Sequence, residues 1–198
     1  MKVNFLKNMV GVLVTGLLFL VLAPLQAQDG IEYGENFVVF EAEATNSPLE
    51  KWVLREPGDP QYLKYETNGD LPPINETYLD YQGSFGSGDS PLEYTFVAPK
   101  TANYRMVMRM HCPLRDGEGH DQRNDVFVKL AGNFTSGTSK TTAQLKEPHK
   151  FYGRAPNKWG ACHTLEIDTH AQAKYQLIEG EEYTFTMAGR SPGTSIDY

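Results

Sequence analysis

The sequence predicts an all-β protein: an antiparallel β-sandwich, or jelly roll, built as one domain. Three observations carry this. Apolar and polar residues alternate at period two in several runs, no stretch after residue 30 sustains a helical period, and 18 glycines and 12 prolines punctuate the 198-residue chain. Period-two alternation puts successive side chains on opposite faces, the signature of strands buried on one side. With 40% hydrophobic and 12% aromatic residues, the chain can bury a real core. Several short strands between turn signals fit a sandwich better than a helical or mixed fold.

The elements follow in order. Residues 1–27 read as a secretory signal peptide. Lys2 and Lys7 give a basic start, Val10 to Leu25 is uncharged and mostly apolar, and Ala27 offers a small residue for cleavage. The run is short for a membrane span, which needs about 20 apolar residues. The mature chain, from about residue 29, is therefore expected to be secreted, extracellular or periplasmic.

Phe37-Val-Val-Phe-Glu-Ala-Glu reads as a strand with Glu41 and Glu43 on one face. Leu92, Tyr94 and Phe96 alternate inward. Asn103 to His111 reads as one strand, with Tyr104, Met106, Met108 and Met110 on one face and Arg105, Val107, Arg109 and His111 on the other. Val126, Val128 and Leu130 point inward, as do Tyr183, Phe185 and Met187. Gly132 to Pro156 is a long polar insertion. The final Thr194-Ser-Ile-Asp-Tyr begins a strand with one apolar inward candidate, Ile196, whereas typical strands run about five to six residues. The expectation is a C-terminus that is frayed or truncated, with the natural gene continuing.

Charge and motifs exclude several functions. A net charge of -7, more negative still once Lys2 and Lys7 are removed, argues against nucleic acid and anionic membrane as partners. The five histidines (His111, His120, His149, His163, His170) fall in no zinc-protease spacing, and no Gly-x-Ser-x-Gly elbow occurs. Glu41 and Glu43 are too close in sequence to flank a scissile glycosidic bond. Arg109 and His111 share a strand face, the one hint of a jelly-roll polysaccharide lyase, which needs a Tyr, a His and an Arg together. A catalytic role is thus the alternative, and a structural or protein-binding sandwich is another.

In an exported protein, Cys112 and Cys162 are expected to form a disulfide. By the chain-entropy model the loop of about 50 residues would contribute roughly 4 kcal/mol. Two buried free thiols are the alternative. Asn75-Glu-Thr and Asn133-Phe-Thr are glycosylation sequons, without meaning in a bacterial source.

The order of pieces carries a family resemblance. The Glu-Ala-Glu strand, Tyr78-Leu-Asp-Tyr81-Gln-Gly, Leu92-Glu-Tyr-Thr-Phe-Val-Ala-Pro before Asn103-Tyr-Arg-Met, Asp121 to Lys129, Lys158-Trp-Gly, and Leu177 to Ser191 before Asp197 together resemble carbohydrate-binding modules of the family 6 and 35 group, as attached to marine polysaccharide-degrading enzymes. The resemblance implies a galactose-binding-like sandwich that binds a polysaccharide or oligosaccharide without cleaving it. Catalytic modules of a larger enzyme are then an expected partner. The chain departs from the pattern where Thr194 and Ser195 stand in place of an asparagine before the last strand.

Sugar binding needs an aromatic face for the C–H side of a pyranose and polar groups for its hydroxyls. Trp159, in the polar, glycine-flanked Asn157-Lys-Trp-Gly, is the expected exposed platform; burial at the sandwich edge is the alternative. Tyr81 and Tyr78 are further aromatic candidates, and Arg109, Asn124 and Asp125 are the polar ones. Trp52 reads as core. Glu41, Glu43 and Asp197 bring three carboxylates to one rim if the terminal strands lie side by side. Such a set suits a hard cation, so a structural Ca2+ is expected there.

Overall fold

The computed structural model describes residues 30–63, 76–119, 122–153 and 156–198. The expected signal peptide and the Asn75 sequon lie outside them. In chain order the strands are β1 (Ile31–Tyr33), β2 (Val38–Phe40), β3 (Trp52–Arg55), β4 (Tyr78–Tyr81), β5 (Asp89–Val97), β6 (Ala102–Arg105), β7 (Met108–His111) and β8 (Asp125–Ala131). They continue as β9 (Thr135–Ser136), β10 (His149–Tyr152), β11 (Trp159–Cys162), β12 (Thr164–Ile167), β13 (Thr169–Gln172), β14 (Lys174–Leu177), β15 (Glu182–Gly189) and β16 (Ser195–Ile196). One helical turn, α1 (Thr142–Leu145), is closed by a capping box between Thr141 and Gln144. The fold is all-β, as the alternation predicted.

Two antiparallel sheets form the sandwich. One has six strands in the order β13-β12-β10-β8-β15-β5, the other five in the order β11-β7-β16-β4-β3. A single apolar cluster lies between them. Leu92, Tyr94, Val126, Val128, Phe151, Leu165 and Met187 enter it from the six-stranded sheet, and Trp52, Leu79, Tyr81, Met108, Met110 and Ile196 from the other. The inward positions read from the alternation of β5, β8 and β15 are the ones that pack here. A hairpin of β1 and β2 adds Phe40, which stacks on Tyr94 at 5.3 Å. A third sheet, β6-β14-β9, lies beside the sandwich.

Three local expectations are corrected. The strand expected over Asn103–His111 is two strands. β6 pairs with β14, and β7 pairs with β11 and β16, because the chain changes sheet at Met106 and Val107. The Phe37–Glu43 strand ends at Phe40; Ala42 and Glu43 lie in a turn, where Ala44 N donates to Glu41 O. The insertion after Gly132 contributes β9, α1 and β10, and β10 is an interior strand of the six-stranded sheet.

The last strand is short but central. β16 is paired on one side with β4 and on the other with β7, and Arg109 N donates to Tyr198 O at 2.7 Å. Two ladders therefore hold what the sequence suggests as a fraying end.

Candidate functional site

Residues directly opposite in a sheet share a face. On the five-stranded sheet, Met108, Met110, Leu79 and Ile196 turn to the core, so their neighbours in sequence share the other face. The register lines up Trp159 with His111, His111 with Ser195, and Ser195 with Asp80. The next row holds Arg109 beside Asp197, whose N–H donates to the Arg109 carbonyl, and Tyr78 beside Arg55. An outward sheet face is ordinarily solvated, yet these side chains are buried: Trp159 is 8% exposed, Tyr78 1% and Asp197 0%.

Trp159 is the hub. The Arg109 guanidinium carbon stands 5.1 Å from its ring centre, Tyr78 packs edge-on at 5.2 Å, and the His111 ring lies 5.6 Å away. Arg109 Nη1 reaches Asp197 Oδ2 at 2.6 Å. Arg55 donates from Nε and Nη2 to Asp80 Oδ2 at 3.0 and 2.8 Å, and Gln82 Nε2 donates to the same oxygen at 2.7 Å. Asp80 Oδ1 is buried and accepts no hydrogen bond. Arg55 also holds Asp59 and Gln61, at 2.8 and 2.6 Å, while Tyr62 packs on Tyr78 at 5.4 Å. The segment after β3 thus lies against this face. Burial pushes the Tyr78 hydroxyl up to about 12, so it stays a phenol at neutral pH.

Of the ligand-binding candidates, Trp159, Tyr78 and Arg109 converge here and Tyr81, Asn124 and Asp125 do not. Trp159 lies on edge strand β11 with its ring covered, which corrects the expected exposed loop. Tyr81 points into the core against Trp52, because Tyr78 and Asp80 take the other face of β4. Trp52 is core, as read from the sequence, and its Nε1 donates to the Ser90 carbonyl at 2.8 Å. Asn124 donates to the Gly153 carbonyl at 3.2 Å, and Asp125 accepts from Ser191 Oγ at 2.6 Å and pairs with Arg190; both fasten the start of β8. Arg55, Asp80 and Ser195 were not among the sequence candidates. The alternation in Tyr78-Leu-Asp80-Tyr was the available signal for Asp80.

The terminal carboxylates are neighbours. Ala42 N donates to Asp197 O at 2.8 Å, between Glu41 and Glu43. Glu43 Oε1 accepts from the Thr77 hydroxyl, and Glu43 Oε2 is buried with no hydrogen bond. Burial raises the Glu43 carboxyl above the usual range; Thr77 opposes this, and the Glu41 and Asp197 charges add to it. Among the described residues, no three His, Cys, Asp or Glu side chains are grouped closely enough to hold a metal ion.

Cys112 and Cys162 are both buried, and the expected disulfide between them is not formed. Cys162 ends β11 opposite Met108, four positions from Cys112, so the ladder does not set the two backbones side by side. Both sulfurs face Gly153, where a Cβ would collide with that of Cys112 and stand 3.3 Å from that of Cys162. Burial is the main reason the Cys112 thiol is pushed up to about 12.

A concavity lies on the outer face of the six-stranded sheet. It encloses about 420 Å³ between Gly86, Gly88, Phe127, Lys129, Pro148 and Thr186. Next to Gly86, Phe85 is 55% exposed under the Arg190 guanidinium, 4.9 Å from its ring centre. No family model matches this chain, and no curated protein matches it. Among the described residues no helix is long and apolar enough to cross a membrane.

Proposed function

We propose that this chain is an exported, non-catalytic glycan-binding β-sandwich, with its sugar contacts centred on Trp159. The observation that carries the reading is the cluster on the five-stranded sheet: one indole flanked by Arg109, His111 and Tyr78, with Asp80 Oδ1 in the same face. An indole covers the apolar face of a pyranose, and the polar groups around it answer the hydroxyls. Approach is along the β11 edge, where Ala161 is exposed, with displacement of the segment at Asp59–Tyr62. The same reading makes this chain a companion of catalytic modules acting on a polysaccharide or oligosaccharide.

The test is affinity electrophoresis against agar, carrageenan, alginate, xylan and laminarin. Trp159→Ala is expected to lose about 2 kcal/mol or more of binding, the cost of a central aromatic anchor. Retained binding in Trp159→Ala with loss in Phe85→Ala would move the site to the groove beside Phe127. The second reading is a polysaccharide lyase, favoured because Tyr78, His111 and Arg109 all meet Trp159. Against it, a Tyr78 hydroxyl pushed up to about 12 is a poor base at neutral pH. Release of unsaturated products from any of these glycans would reverse the choice.

A structural Ca2+ at Glu41, Glu43 and Asp197 belongs to the same proposal, but as they stand these carboxylates are not grouped as a ligand set and Asp197 already pairs with Arg109, so binding would have to draw them together. Its support is the buried, unbonded Glu43 Oε2 and the mutual repulsion that a cation would relieve. Such an ion would tie the turn after β2 to the end of β16. Calcium is expected to raise Tm relative to EDTA in the parent and to have no effect in Glu43→Gln. A parent Tm indifferent to both removes the ion but leaves the glycan reading standing.

A further inference from the structure

The interior holds space that the glycan reading does not use. A cavity of about 130 Å³ opens between the two main sheets where β14 and the link from β6 to β7 meet them. Its walls include Phe96, Leu130, Leu177 and Phe185, all buried, and also Val38 and Met106, which are partly exposed, and Val107, which is 40% exposed. Four tyrosines share the lining, Tyr94, Tyr104, Tyr175 and Tyr198; of their hydroxyls, Tyr94 donates to the Ala42 carbonyl at 2.6 Å and Tyr104 to that of Lys100 at 3.0 Å. The charged side chain among the lining residues, Arg105, is exposed.

We infer that this cavity is a binding site for a small, uncharged, apolar molecule, an aromatic ring or a short aliphatic chain. A buried water needs two to four polar partners, and these walls offer few; apolar cavities of this size stay dry and take up benzene or xenon. Aromatic and aliphatic walls on several sides give such a guest the dispersion contacts that the empty site lacks. Lining residues that reach the surface, Val38, Met106 and Val107, give it a route in, which a sealed packing defect would not have.

The experiment is a thermal melt of the parent with toluene, together with xenon-pressurised crystals. Toluene near saturation of the site is expected to raise Tm by about 2 °C or more, the effect of a ligand that binds only the folded state. Leu177→Phe and Leu130→Phe, which fill the cavity from different walls, are expected to lose that rise while retaining the parent's far-UV spectrum. Xenon is expected between Leu130, Leu177 and Phe185. A parent Tm unmoved by toluene, an equal rise in a folded filled variant, or xenon absent from the cavity would each overturn the inference. None of these outcomes depends on glycan binding at Trp159.

Discussion

Replacing Arg109 by methionine is expected to destabilise the protein by about 3–5 kcal/mol, the cost of stripping a buried carboxylate of its counter-charge. Asp197 is fully buried, and Arg109 Nη1 lies 2.6 Å from its Oδ2. Methionine preserves much of the side-chain volume against Trp159 but offers no donor. The carboxylate would then have to be protonated or reached by water, and either opens the sheet at β16. For a domain of this size the loss corresponds to a fall in Tm on the order of 10 °C. Urea denaturation in EDTA measures it without a contribution from bound ions. Arg109→Met combined with Asp197→Leu should recover most of the loss, because removing both charges removes the desolvation problem. A single-variant loss below about 1 kcal/mol would show that the pair is not what keeps Asp197 buried.

Tyr81→Ala is expected to cost about 3–5 kcal/mol, as for other large buried aromatics, while leaving glycan affinity at Trp159 unchanged in the folded fraction. The ring is 0% exposed and tilted on Trp52 at 5.1 Å. Its hydroxyl bonds Ser87 Oγ at 2.7 Å and also the Asp89 carboxylate, so the truncation removes packing and strands polar partners together. Gly83 and Gly189 close around it; a Cβ at either would overlap the tyrosine. Gly189→Ala should therefore destabilise too, by about 1–3 kcal/mol through overpacking. Chemical denaturation and affinity electrophoresis on the same samples separate the two roles. A stable Tyr81→Ala that fails to bind glycan would return Tyr81 to the ligand site.

The sequence by itself determined the all-β class and most of the core. Alternation in Leu92–Phe96, Val126–Leu130 and Tyr183–Met187 needs only the pleat to assign faces, and each strand delivers its inward set. It also paired Arg109 with His111 on one face of β7, since that relation is local. What it did not determine is everything set by which strands become neighbours. Trp159 looks like a loop residue from its flanks, but antiparallel pairing with His111 makes it the edge of a sheet and covers its ring with Arg109 and Tyr78. Tyr78 and Tyr81 look equivalent in sequence; being three apart, they fall on opposite faces of one strand, and only packing decided which face was core. The two residues of β16 are too short to be recognised as a central strand, and hydrogen bonds from β4 and β7 make them one. Local periodicity fixes the face a side chain takes, whereas burial, charge pairing and partners depend on contacts between residues far apart in the chain, which no short window of sequence contains.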